Sequence, residues 1–154
     1  MSRRGEIEMD DAELGAFLRE QRTLICATNG RDGWPHLMPL WFVLREGDIW
    51  AWTYAASQKV RNLERDARAT LTLEAGKSYE ELRGAMLKAE VAIERETAFV
   101  EALGLEIYER YVGAARVDGQ LRASVARQAP KRVALHFLER SRATFDHRKL
   151  RVGA

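Results

Sequence analysis

Hydrophobic and polar positions change their period several times along the chain, and each change predicts an element. Leu14, Phe17 and Leu18 stand at i, i+3 and i+4, one stripe of a helix. Asp10 precedes them with Glu13 three residues on, the pattern of a capping box, so residues 1–22 read as an N-terminal helical segment. After Arg22 the period shortens. Residues 23–28 are apolar and rich in strand formers, and Asn29-Gly30-Arg31-Asp32-Gly33 is a strong turn. A second strand is expected over 35–44, ended by the Arg45-Glu46-Gly47-Asp48 turn. A third follows over 49–54, with Trp50, Trp52 and Tyr54 on one face. Together these read as an antiparallel meander.

Residues 57–65 predict a short helix with Ser57 as N-cap and Val60 and Leu63 facing inward. Alternation returns over 69–74 and is clearest over 84–94, where Ala85, Leu87, Ala89, Val91 and Ile93 face one way. A helix over 96–112 carries Val100, Leu103, Ile107 and Tyr111 on one stripe. Residues 113–120 read as a loop, and 122–128 as a further helical turn that stops before Pro130. Strand patterning resumes over 132–138 and 143–147. The expected architecture is mainly β with flanking helices. Six or seven antiparallel strands close into a barrel, which removes exposed edges, in a single domain over 1–154 with a helical insertion at 96–128.

Composition narrows the class. The chain has 154 residues, 46% hydrophobic and 31% charged, a globular balance that excludes disorder as its main state. No apolar run approaches the roughly 18–20 residues that cross a bilayer as a helix. The opening Met1-Ser2-Arg3-Arg4-Gly5-Glu6 leads into acidic residues rather than a signal-peptide core. The single cysteine, Cys26, has no internal disulfide partner and reads as a small buried hydrophobe. A cytoplasmic protein with no membrane partner is the expectation. The net charge of +2 is too small to imply nucleic acid, although the stretch from Arg122 to Arg151 holds only Glu139 and Asp146 as acids. Its cations are not interleaved with stacking aromatics, as single-strand binding would require.

No side chain announces itself as a catalyst. His36, His136 and His147 are scattered, so no metal-ligand spacing forms, and neither a Gly-x-Ser-x-Gly turn nor a Gly-rich phosphate loop is present. Reactivity would come from a cofactor. The 57–65 helix offers a place for one. Lys59 and Arg61 stand in its first turns and Glu64 and Asp66 near its end. This opposes the helix dipole, at a cost of a few tenths to about 1 kcal/mol per charge. A phosphate at the N-terminus resolves the conflict, accepting from backbone N–H groups, the Ser57 hydroxyl and the Lys59 ammonium. The alternative is that both cations point into water. Trp41, Phe42, Trp50, Trp52 and Tyr54 can wall a flat apolar ring, or serve as barrel core and dimer interface.

Four stretches, taken in order, carry a family likeness. They are Leu24-Ile25-Cys26-Ala27-Thr28-Asn29-Gly30-Arg31-Asp32-Gly33-Trp34-Pro35-His36; Ser57-Gln58-Lys59-Val60-Arg61-Asn62-Leu63-Glu64-Arg65-Asp66-Ala67-Arg68-Ala69; Leu82-Arg83-Gly84-Ala85; and Thr144-Phe145-Asp146-His147-Arg148-Lys149-Leu150. Their order resembles the pyridoxamine 5′-phosphate oxidase-like, FMN-binding split-barrel superfamily, and within it the flavin/deazaflavin oxidoreductases that use coenzyme F420. The resemblance implies a six- to seven-stranded antiparallel split β-barrel, and a homodimer with a cofactor at each subunit interface. It implies a cofactor phosphate at Ser57 and Lys59 with Arg61 and Asn62 close behind. Trp52 and Thr53 would run along the ring or ribityl chain, and Met38, Pro39 and Trp41 beside the ring. The segment Asp146-His147-Arg148-Lys149 would reach the site from the partner chain.

FMN oxidases of the superfamily carry a phosphate-binding arginine where this chain has Met38, so vitamin B6 oxidation is not expected. That loss, with a basic C-terminal third suited to an oligoglutamate tail, favours F420 over FMN. The implied activity is an F420-dependent reductase passing hydride to a planar conjugated small molecule. The alternatives are an FMN-dependent oxidase or reductase, and a non-enzymatic flavin, deazaflavin or haem-binding protein.

Overall fold

A computed structural model describes residues 3–153, with side chains as far as Leu150. Met1, Ser2 and Ala154, which the expected N-terminal segment and single domain include, lie outside the described residues. The sheet is built from β1 (Leu24–Asn29), β2 (Pro35–Leu40), β3 (Val43–Arg45), β4 (Asp48–Tyr54), β5 (Arg68–Ala75), β6 (Arg83–Glu94) and β7 (Arg132–Asp146). Its order, β2-β1-β5-β6-β7-β4-β3, is antiparallel at every pair. The sheet curls into a half-barrel whose edge strands, β2 and β3, are joined through Trp41 and Phe42. The helices are α1 (Arg4–Ile7), α2 (Asp11–Glu20), α3 (Gln58–Arg65), α4 (Thr97–Val112) and α5 (Gly119–Gln128). A mainly β split barrel with flanking helices is therefore what the sequence folds into.

The caps are where the pattern puts them. Asp10 accepts from the Glu13 N–H and the Glu13 carboxylate accepts from the Asp10 N–H, each at 2.8 Å, so two free helix donors are satisfied at once. Leu14, Phe17 and Leu18 of α2 then pack on the inner sheet face against Leu24, Leu71, Leu87 and Leu135. A second cluster lies on the outer face, where Val100, Leu103 and Ile107 of α4 and Val125 of α5 cover Val43, Trp52 and Ala134. At Gly104 a Cβ would come 2.5 Å from the Trp52 ring, so the absence of a side chain lets α4 lie directly on that indole.

Three boundaries differ from the sequence expectation. The strand expected over 35–44 breaks at Trp41-Phe42, because α4 supplies the partners that a sheet neighbour would otherwise give. The Phe42 N–H donates to the Tyr111 hydroxyl at 3.0 Å, and the Phe42 carbonyl accepts from Arg110 at 2.6 Å. The strands expected over 132–138 and 143–147 are one strand, since β6 pairs with β7 along its length through a register shift at Lys88/Ala89. The exposed polar run Glu139, Arg140, Ser141 and Arg142 hides that continuity in the hydrophobic pattern. Residues 113–120 are not all loop: a 3₁₀ turn occupies Ala114–Arg116, and α5 opens at Gly119 with Asp118 accepting from the Leu121 N–H at 2.9 Å.

Candidate cofactor site

Residues opposite one another in an antiparallel ladder share a face. Cys26 pairs with Met38, Thr28 with His36, and Thr53 with Val133. Cys26 and Val133 belong to the inner core, so Met38, His36, Thr28 and Thr53 face the inside of the half-barrel as well. On β1 and β2 these positions flank the split. Helix α3 packs on β1 and buries Lys59, Val60, Asn62 and Leu63 there. Asn62 is fully buried; it donates to Thr28 Oγ1 at 3.1 Å and accepts from Gln58 Nε2 at 2.9 Å. Ser57 caps the helix, its Oγ accepting the Val60 N–H at 3.4 Å.

Lys59 is the unusual member. It is only 5% exposed, and its Nζ donates to Thr53 Oγ1 at 3.3 Å. An ammonium has three N–H donors, and this hydroxyl is its one hydrogen-bond acceptor among the described residues. Burial holds the Lys59 pKa below its ordinary value of 10.5, opposed in part by Cys26. Burial also pushes the Cys26 thiol up to about 12, opposed in part by Lys59. Nearby, the buried Nδ1 of His36 has no hydrogen-bond partner. His36 lines a cavity of about 450 Å³ with Gly30, Asp32, Trp34, Gln58 and Asn62. Buried polar groups are normally paired. An under-satisfied cation and an orphaned ring nitrogen beside α3, whose first turn carries no acid, fit an anionic ligand.

The other face of the same strands is aromatic. Trp52 and Pro39 are the chain neighbours of Thr53 and Met38 and point to the outer side. With Trp41, Tyr108 and Arg132 they line a groove of about 470 Å³. Trp41 stacks on Tyr111 with ring centroids 4.5 Å apart, and both Trp41 and Trp52 meet Tyr108 edge-on, at 6.3 and 6.2 Å. Among the described residues no cluster of His, Cys, Asp or Glu can hold a metal ion, and no helix is long and apolar enough to cross a membrane.

A split sheet with a capped, cation-bearing helix packed on β1 can be compared with known proteins. The family profile of pyridoxamine 5′-phosphate oxidase matches residues 10–145. The chain belongs to the pyridoxamine 5′-phosphate oxidase family. Among solved structures it is similar to a conserved hypothetical protein from Mycobacterium tuberculosis, with 35% identity and a TM-score of 0.89 over 100% of this chain and 95% of that one. It is also similar in fold to an F420 reductase, with 17% identity and a TM-score of 0.65 over 82% and 93% of the two chains. The haem storage protein HutZ from Vibrio cholerae shares the fold at 17% identity and a TM-score of 0.66, over 88% and 92%. No curated protein sequence matches the chain.

In this member of the oxidase family the nine candidate residues fall into two groups and one outlier. Met38, Thr53, Ser57, Lys59 and Asn62 gather at the inner opening, while Pro39, Trp41 and Trp52 line the outer groove. Arg61 stands exposed on α3 without an ion-pair partner among the described residues. Asp146-His147-Arg148-Lys149 is engaged within its own chain. Arg148 holds the buried Asp146 carboxyl below the usual carboxylate range and pairs with it at 2.7 Å, His147 Nδ1 lies 2.7 Å from the Tyr79 carbonyl, and Lys149 reaches Glu13 at 2.6 Å. Sequence reasoning missed His36, Gln58, Tyr108 and Arg132. His36 was legible through its place two residues before Met38 on the same strand face. Tyr108 and Arg132 reach the groove from distant segments and carry no local signal.

Proposed function

We propose that the protein binds a phosphorylated flavin-type coenzyme, F420 first and FMN as the alternative, and uses it to pass hydride to a planar conjugated small molecule. The observation that carries this reading is the buried Lys59 ammonium with its single acceptor at the start of α3. In this reading Lys59, Thr53 and the Ser57 hydroxyl hold the phosphate end, with the α3 backbone donors beside them. Met38 flanks the coenzyme on the inner face, while Trp52, Pro39 and Trp41 stand on the opposite face of the sheet. Bound in its reduced form, such a coenzyme supplies a hydride and is left oxidised, while the acceptor completes its two-electron reduction with a proton from water. The chain supplies orientation and a dry wall rather than a covalent step.

Two features favour F420. A methionine occupies position 38, so the inner opening offers one cation rather than two. Arg61, Arg122, Arg127 and Lys131 have no carboxylate partner among the described residues and are exposed, so they suit an anionic tail through several modest ion pairs. By contrast Arg140, Arg142, Arg148 and Lys149 each hold a carboxylate of their own chain. Trp34, Leu37, Met38 and Trp41 are exposed on or beside edge strand β2. A second copy covering them would make a cytoplasmic homodimer with the coenzyme at the interface. A non-enzymatic carrier of flavin, deazaflavin or haem is the second reading, favoured because no side chain among the described residues is placed to act as a catalyst. Tight binding without turnover across a panel of acceptors would select it.

Lys59→Ala tests the site. Coenzyme affinity should fall by about 1.5–3 kcal/mol, the range for a hydrogen bond to a charged group. Unchanged affinity would remove Lys59 from the site.

A further inference from the structure

We propose that the outer groove is a binding site for a planar conjugated carboxylate, and that Arg132 selects it there. Arg132 is the one charged residue among those that line the groove. Its guanidinium carbon lies 4.2 Å from the Trp52 ring centroid and 4.0 Å from that of Tyr54, and its Nε donates to Gln128 Oε1 at 3.1 Å. The cross-strand pairing of Tyr54 with Arg132 fixes this arrangement in the sheet. The cation is thus stacked, oriented and rigid, yet no carboxylate pairs with it among the described residues. A guanidinium has five N–H donors in a planar fork that matches a carboxylate, and here only the Nε–H is engaged.

The rest of the groove dictates the shape of what that fork receives. Its walls are the rings of Trp41, Trp52 and Tyr108 together with Pro39, which favour a flat apolar body. A planar ring conjugated to a carboxylate meets both requirements. A neutral ring leaves the cation without a counter-charge, and a cationic ring is repelled by it. The groove lies on the sheet face opposite the coenzyme opening, since Trp52 and Pro39 alternate along their strands with Thr53 and Met38. Binding of this ligand does not rest on the redox reading given above.

The test is an NMR titration of the full-length protein, without coenzyme, using trans-cinnamate and trans-cinnamamide. The two probes share one shape and differ in charge. Cinnamate should bind about tenfold more tightly, the difference expected of a charge-assisted bidentate contact. Arg132→Gln should leave cinnamamide binding unchanged, which reports an intact groove, and should bring cinnamate down to the same affinity. Arg132→Lys should restore part of the preference. Equal affinities in the wild type, or a preference that survives Arg132→Gln, would overturn the assignment. Coenzyme titration of the same variants keeps the two ideas apart: retained coenzyme binding with no carboxylate preference removes Arg132's role and leaves the redox reading standing.

Discussion

Lys59 works against the stability of the ligand-free chain. A buried ammonium with one acceptor destabilises the folded state while it is charged, and its pKa is depressed for that reason. The sign follows from proton linkage. Between the lowered folded value and the unfolded value near 10.5, the unfolded chain binds more protons, so the destabilisation is complete at lower pH and is relieved as pH rises through that window. Lys59→Met should therefore raise the urea midpoint of the ligand-free protein at neutral pH, and the gap to wild type should close as pH approaches the lysine's ordinary value. A midpoint that falls at neutral pH would show that the Thr53 contact outweighs the burial. At this scale the sequence flagged Ser57 and Lys59 through a cap and a charge pattern that opposes the dipole, and Asn62 through the family resemblance. It did not show the Lys59 amine turned inward, because the buried face of α3 mixes Lys59 and Asn62 with Val60 and Leu63 and so reads as polar.

Elements decide how each face of the sheet is covered. Helix α4 rests on Trp52 through Gly104, where an added methyl would sit 2.5 Å from the ring. Gly104→Ala should destabilise the protein by about 1–3 kcal/mol, the usual cost of overpacking, and should displace Trp52, which a shift in tryptophan emission would report. Wild-type emission and an unchanged denaturation midpoint would show that α4 can move aside freely. The strands were legible wherever one face is buried, as in β6, whose alternation survives along most of its length. They were misread where partners come from outside the sheet, as at Phe42, and where a long strand passes through a solvated polar stretch, as in β7. Arg132 escaped for a related reason: its rings belong to β4, and only the pairing of β4 with β7 brings them together.

At the scale of the whole molecule, the split leaves β2 as an edge with Leu37 54% and Met38 48% exposed, and Trp34 76% exposed just before it. Apolar groups in such a row on a sheet edge mark an association surface. If the proposed homodimer uses this edge, Leu37→Lys should shift sedimentation from dimer to monomer and weaken coenzyme binding with it; a wild type that sediments as a monomer, or a variant that stays dimeric, would contradict that interface. The fold class was legible because strand periods and turns repeat along the chain. The proposed homodimer rests on the family resemblance instead, since a second copy would leave no periodic trace in one sequence.

The most direct measurement is a fluorescence titration of purified coenzyme-free protein with F420 and with FMN. Saturation by F420 at one molecule per chain, tighter than FMN and weakened by loss of the Lys59 amine, is the predicted result. A flat titration with both coenzymes would contradict the account.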